Sequence, residues 1–262
     1  LAAPGNRHAL LITGESGAGK SEATRAVISF LARNRSSADS TQERLMRSTP
    51  VLDAFGNAHT RQNTNSSRFG KFIEVHLSAG GCEVAGATLK PYMLEASRVA
   101  GELPDGERTY HIFYLLRAAL GALAKNAAPL RPFWADLAAS PEWMELVEVG
   151  GAGLGESPRL DNGPPEEQCA DWFEVLMAGL VGAGLSQSEL VECCRVVAAV
   201  ALLADAHVGQ ETLRAAAALL RIPEAAMRAF LAKAEASVGA AQRERFHRAR
   251  SDREAATLRA SL

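Results

Sequence analysis

No stretch of this chain is apolar over a length that could span a bilayer. The longest strongly apolar run, Val196 to Ala204, falls well short of the ~20 residues a membrane helix needs. No charge of one sign predominates either: 28 basic against 30 acidic residues leave a net −2, which removes the basic field that nucleic acid or an anionic membrane would require. Cysteine is scarce. Cys82, Cys169, Cys193 and Cys194 form no C-x-x-C pair and read as reduced thiols of a cytosolic protein, not as metal ligands or a disulfide framework. His76, His111 and His207 lack metal-ligand spacing, and Trp134, Trp143 and Trp172 read as packing residues. The opening Leu1 to Arg7 has no long apolar core of a secretory signal, and with Leu at position 1 the chain is expected to be a piece of something longer.

What is present is ample for a core. The 262 residues are 47% apolar, enough for one large domain or two small ones. The stretch that organises them is Gly14-Glu15-Ser16-Gly17-Ala18-Gly19-Lys20-Ser21, between the apolar run Ala9 to Ile12 and the helical pattern Glu22 to Leu31. It fits the phosphate-binding loop, and the flanks predict a strand before it and a helix after it. Such a loop turns backbone N–H groups inward as a nest, with the helix N-terminus aimed at the same point. Gly17 and Gly19 are free to take positive φ. Lys20 would reach the terminal phosphates as a point charge, and the Ser21 hydroxyl would ligate Mg²⁺. Chance produces the pattern in a chain of this length on the order of once in a hundred.

Further along, Ala23, Ala26, Val27, Phe30 and Leu31 recur at helical spacing and predict a face turned to a core. Arg33 to Thr41 reads as a solvated connection. Leu45 to Phe55 reads as further helix, with Pro50 at an early helical position and Ser48 or Thr49 as its cap. The polar Asn63 to Lys71 leads into an alternating strand, Phe72 to Leu77, then a hairpin turn at Ser78 to Gly81 and a partner strand, Cys82 to Leu89. From Tyr110 the pattern is helical, with Tyr110, Phe113, Tyr114, Arg117 and Leu120 near one face. A Gly/Pro-rich stretch between Pro141 and Pro165 predicts a surface excursion. Helices are expected again at Cys169 to Val181, Leu185 to Leu203, Glu211 to Leu220 and Pro223 to Ala236, with a capping box at Ser186 to Glu189.

Three stretches then agree in order and spacing with one family. Gly14 to Glu22, Leu52 to Lys71, and Tyr92 to Tyr114 with its SRV and YHIFY elements resemble the myosin motor domain. The resemblance is strong to about Leu116 and looser beyond, where Val191 to Val208 resembles an upper 50-kDa subdomain and Ser251 to Ala260 the helix preceding switch II. It implies an α/β fold: a P-loop NTPase core, with a partial mixed transducer sheet and flanking helices, at residues 1–116, plus a mainly helical upper 50-kDa-like subdomain at 117–262. It implies ATP and Mg²⁺, with Gly14, Glu15, Ser16, Gly17, Ala18, Gly19, Lys20, Ser21, Glu22, Asn63, Ser66 and Ser67 around the nucleotide. Ser21 and Ser67 would hold the metal, and Lys20, Ser66 and Arg68 would carry the catalytic roles, Ser66 at the γ-phosphate and attacking water.

Some features depart from the family. Ser21 stands where Thr is usual, Ala96 replaces a common Lys, and Leu203 to Val208 stands where the family often has L-H-L-G-N-I. No D-x-x-G-F-E segment occurs, so Arg68 lacks the switch II glutamate with which it pairs in this family. The expected function is that of a fragment of an actin-based motor, an ATPase when intact, cytoplasmic and cytoskeletal, with an actin filament as partner and light chains or calmodulin on a lever arm. The fragment alone is expected to bind the phosphate end weakly and to turn over little. Two other readings stand beside it. A degenerate head would hold nucleotide or actin without cycling, and a non-motor P-loop kinase would show acceptor-dependent phosphoryl transfer.

Overall fold

The computed structural model describes residues 8–31, 41–77, 84–124, 140–155, 157–204 and 209–229. The turn at Ser78 to Gly81, Cys82, Trp134, His207, the end of the helix expected to Ala236 and the segment Ser251 to Ala260 lie outside them, as does most of the connection from Arg33 to Thr41.

Among the described residues the architecture is mixed, many helices and two small sheets. Helix α1 (Lys20–Leu31) follows the glycine loop, and α2 (Thr41–Gly56) leads into a short antiparallel ladder of β1 (Asn57–Ala58) and β2 (Ser66–Ser67). The longer ladder pairs β3 (Gly70–Leu77) with β4 (Val84–Tyr92) in antiparallel register, Phe72 opposite Lys90 and Glu74 opposite Thr88, with an irregularity at His76/Leu77. The hairpin read from sequence is therefore present. Then come α3 (Ser97–Ala100), α4 (His111–Ala124), α5 (Pro141–Leu146), a π-helical segment Val147–Gly151, α6 (Ala152–Gly155), a 3₁₀ turn Pro158–Leu160, α7 (Glu166–Gly182), α8 (Gln187–Leu203), α9 (Gln210–Leu219) and α10 (residues 224–229).

The core belongs to the helices. Large apolar residues in its first half and alanines in its second pack α4 among α7, α8 and the π-helical segment, so that it is buried on most sides: Ile112, Phe113, Leu115, Leu116, Ala118, Ala119 and Leu120 are all inside, not only the face read from spacing. Phe173 of α7 meets Trp143 of α5 edge to face, ring centroids 6.4 Å apart, and both are fully buried. Burying each such side chain contributes about 1.5–3 kcal/mol. The predicted box caps α8: the Ser186 hydroxyl accepts from the Glu189 N–H while the Glu189 carboxylate accepts from the Ser186 N–H at 2.8 Å. Ser186→Ala should cost about 1 kcal/mol. Native-state amide exchange of residues 187–190 is expected to quicken about fivefold.

Four expectations are corrected. The Pro141 to Pro165 stretch is not a surface excursion; it is helical over most of its length and places Trp143, Leu146 and Leu154 fully inside. Its glycines serve close approach: a Cβ on Gly153 would lie 2.7 Å from Leu202 Cδ2. Ala9 to Ile12 forms no strand, and Leu10 and Leu11 are 68% and 87% exposed. A strand exists by its ladder, and no described residue pairs with this run. The apolar face of α1 likewise stays out of the core; none of its residues is buried, and Phe30 is 67% exposed. Finally, one helix runs through Pro50, which is an interior residue of α2 and not an early one. Its missing N–H leaves the carbonyl one turn back without a helical donor.

Candidate functional site

The site is built where the glycine loop meets the polar loop between β1 and β2. Gly14, Gly17 and Gly19 have φ of 153°, 82° and 82°, conformations an L-residue rarely adopts. The loop closes on itself through the Ala18 N–H on the Glu15 carbonyl, and α1 begins at once behind it. The first turn of a helix leaves its N–H groups without intrahelical acceptors, so Lys20 and Ser21 carry donors pointed back along the axis. The Lys20 ammonium lies on the loop's own carbonyls, 2.8 Å from Gly14 O and 2.6 Å from Glu15 O. The loop residues are otherwise exposed.

The facing loop is tightly self-bonded. Thr60 and Asn63 exchange backbone hydrogen bonds, and the Asn65 N–H donates to Asn63 Oδ1 at 2.9 Å, a local turn that asparagine favours. Ser66 sits at the bottom, 2% exposed. Its hydroxyl meets that of Thr60 at 2.8 Å, that of Ser16 at 2.9 Å and the Asn63 carbonyl at 3.2 Å. Ser16 and Ser66, fifty residues apart in sequence, thus join the two loops directly. Asn63 also lies against the glycine loop, its Nδ2 being 3.9 Å from where a Cβ on Gly17 would stand. Ser21 and Ser67 are both exposed, and no hydrogen bond joins them among the described residues. Glu15 and Glu22 are exposed, and Glu22 pairs with Arg25 along α1.

Arg68 turns away from the glycine loop. Its Nε donates to Glu95 Oε2 at 2.5 Å, and the same carboxylate takes Arg98 Nε at 3.0 Å. Arg98 is 4% exposed and also holds Glu107 at 3.0 Å and the Arg108 carbonyl. Burial pushes the Glu95 carboxyl up, but the hydrogen bonds and charges of Arg68 and Arg98 together outweigh it, and the net is a lowered pKa. The sequence offered Arg68 no partner; the fold supplies one. At the N-terminus of α4, burial lowers the pKa of His111 to about 4, so its ring is neutral at pH 7.

Of the residues named from sequence, the structure brings together Ser16, Gly17, Asn63 and Ser66. Among the described residues no hydrogen bond joins Ser21 to Ser67, and Arg68 is bonded to Glu95. Thr60, Glu95, Asn65 and His111 were not singled out for this site. Thr60 and Asn65 stand inside the polar loop, where hydroxyl and amide residues were the available signal; Glu95 and His111 reach the site only through folding.

The family model for the myosin head (motor domain) matches residues 1–249, which defines the class of this fold: a piece of a motor head. The chain belongs to the myosin head family. It is 47% identical over 109 residues to Myosin heavy chain 95F of Drosophila melanogaster, covering 42% of this chain and 8% of that protein. To Myosin-7 of Arabidopsis thaliana it is 47% identical over 119 residues, 44% of this chain and 7% of that one. To Unconventional myosin-Ia of Bos taurus it is 36% identical over 206 residues, 77% of this chain and 18% of that one. The chain therefore spans less than a fifth of the length of each of these relatives. None of the described helices is long and apolar enough to cross a membrane.

Proposed function

We propose that this chain supplies the phosphate-binding part of an actin-based motor, and that in the whole protein it binds Mg²⁺·ATP and takes part in its hydrolysis. The observation that carries the reading is the Ser16–Ser66 contact of 2.9 Å, which sets the glycine loop and the second polar loop face to face.

The donor set fits a polyphosphate and a hard cation. It comprises loop N–H groups, one ammonium and several hydroxyls, and the two nearby carboxylates, Glu15 on the loop and Glu22 in the first turn of α1, are exposed. Gly14, Glu15, Ser16, Gly17, Ala18, Gly19 and Lys20 would cradle the phosphates, with Glu22 just inside the helix. Lys20 would exchange the carbonyls it now touches for phosphate oxygens. Asn63 and Ser66 would close the other side, and Ser21 and Ser67 would hold Mg²⁺. The metal, when bound, neutralises phosphate charge. The chain's own contribution is positioning: Lys20 and the loop amides fix the phosphates, and Ser66, already seated between the two loops, orients what lies between them. Arg68 would act in closing the site once it leaves Glu95. We further assign residues 1–116 to the nucleotide core and 117–262 to the helical upper 50-kDa-like part, with α4 running through the boundary. The actin filament is the partner this reading requires, with light chains or calmodulin on a lever arm and a place in the cytoplasmic cytoskeleton.

Titrating Mg²⁺·ATP into the intact motor, wild type and Lys20→Ala, tests the site. Loss of a charge-assisted contact worth roughly 1.5–3 kcal/mol should weaken binding by about tenfold or more. Equal affinities would overturn the assignment.

A further inference from the structure

The polar loop that faces the glycine loop is tied to the helical core at one point. Asn65 stands at its exposed tip, yet its side chain reaches inward, and Oδ1 accepts from two donors. Asn57 Nδ2 lies at 2.9 Å and His111 Nε2 at 3.1 Å. Both donors are inside the protein, Asn57 being 3% and His111 8% exposed. Asn57 aims its amide nitrogen at Asn65 and leaves its own oxygen buried without a hydrogen bond. A lost hydrogen bond of this kind costs free energy, so the orientation is retained at some expense to the fold.

His111 is the mechanical end of the tie. It is the first residue of α4, a helix buried over most of its length, and its ring meets Trp172 of α7 edge-on, centroids 6.2 Å apart at 81°. It is thereby held on the core side by two helices and on the other side bonds the loop that carries Asn63 and Ser66. One residue separates Asn65 from Asn63, and Ser66 is its neighbour, so a small displacement of Asn65 is a displacement of both. Loops are loose by default, and a site on a loop is as precise as the packing that supports it.

We propose that His111 and Asn65 act as a positioning pair for the nucleotide site, fixing the 60–67 loop against the α4–α7 core so that Asn63 and Ser66 stand at the right distance from the glycine loop. The inference rests on the nucleotide-binding reading given above. Neither residue touches the phosphates in this scheme; each acts through the loop.

The test is a mutant cycle on the intact motor, with the Kd for Mg²⁺·ATP and the melting midpoint measured for wild type, Asn65→Ala, His111→Ala, the double variant, His111→Gln and Lys20→Ala. One positioning hydrogen bond predicts that each alanine change weakens binding about fivefold. Because the two residues act as one device, the double variant should also lose about fivefold, not about twenty-fivefold. Glutamine carries a donor near the place of Nε2 and should restore affinity to within about twofold, which a purely steric role of the ring would not allow. Additive losses, or an Asn65→Ala variant with wild-type affinity, would overturn the proposal. Asn65 lies on an exposed loop tip, so that arm stands even where His111→Ala fails to fold. The Lys20→Ala arm separates the two levels: unchanged affinity there overturns the nucleotide reading and this inference with it, whereas weakened affinity there with unchanged Asn65→Ala overturns this inference alone.

Discussion

Truncating Glu95 to alanine in the intact motor is expected to cost about 3 kcal/mol of stability, more than any other single change around the site. The reason is Arg98 and not Arg68. Arg98 is 4% exposed and has given up its water for two carboxylates and one carbonyl, and Glu95 is the carboxylate that takes its Nε at 3.0 Å. Removing Glu95 leaves the guanidinium on Glu107 and the Arg108 carbonyl, with its Nε desolvated and unpaired. Arg68 suffers less, since a third of its side chain already meets solvent. The order of destabilisation should thus be Glu95→Ala, then Glu95→Gln, which keeps an acceptor oxygen and loses the charge, then Arg68→Ala at about 1 kcal/mol or less. Denaturant midpoints of the three variants measure it. Arg68→Ala falling as far as Glu95→Ala would mean that the exposed pair and not the buried one carries the stability. The Tyr110 hydroxyl donates to the Glu95 backbone carbonyl at 2.9 Å and is untouched by truncation, so the chain at residue 95 should stay in place while the charge cluster comes apart.

The parts of the site that were readable in the sequence are those whose chemistry is local. A glycine loop announces itself because the backbone conformation depends on the residue that adopts it: Gly17 and Gly19 do take φ of 82°. Helix capping is equally local, and the Ser186 box is formed as spelled. What escaped depends on partners distant in sequence. Ala9 to Ile12 has the composition of a strand, but a strand is a property of a ladder, and among the described residues no neighbour pairs with it. The glycines at 150, 151 and 153 have the composition of a loop. In the fold they line helical turns, and a Cβ would crowd Leu146 at Gly150, at 3.2 Å, and Leu202 at Gly153, at 2.7 Å. Composition alone does not separate a glycine chosen for freedom from one chosen for smallness. The pairing of Arg68 with Glu95 spans 27 positions and follows no period. The resemblance pointed to a missing glutamate, whereas the structure engages Arg68 with one already in the chain.

Acidification should separate His111 from the carboxylates. Its folded pKa lies at about 4 against an ordinary value of 6.5. Burial is the main cause; Asp53 pulls back against it, and Arg108 and His59 push, each less strongly, in the same direction as burial. The ring is thus neutral in the folded protein over a range in which the unfolded chain would bind a proton there. The stability this provides is fully present above pH 6.5 and is lost progressively as the pH falls from 6.5 toward about 4. The whole interval is worth about 3 kcal/mol, and the part lost by pH 5 about 2 kcal/mol. Glu95 contributes in a different window. Its pKa lies below the ordinary 4.5, so its share persists above that value and is lost only as the pH drops through the lowered one. Between pH 6.5 and 5 the loss therefore falls to His111 and not to Glu95. In the His111→Gln variant, which keeps a donor and cannot titrate, the denaturant midpoint should fall less over that range than in wild type, by an amount equivalent to about 2 kcal/mol. Parallel pH profiles for the two proteins would show that the ring is as easily protonated in the fold as in water, and that the core around α4 does not hold it dry.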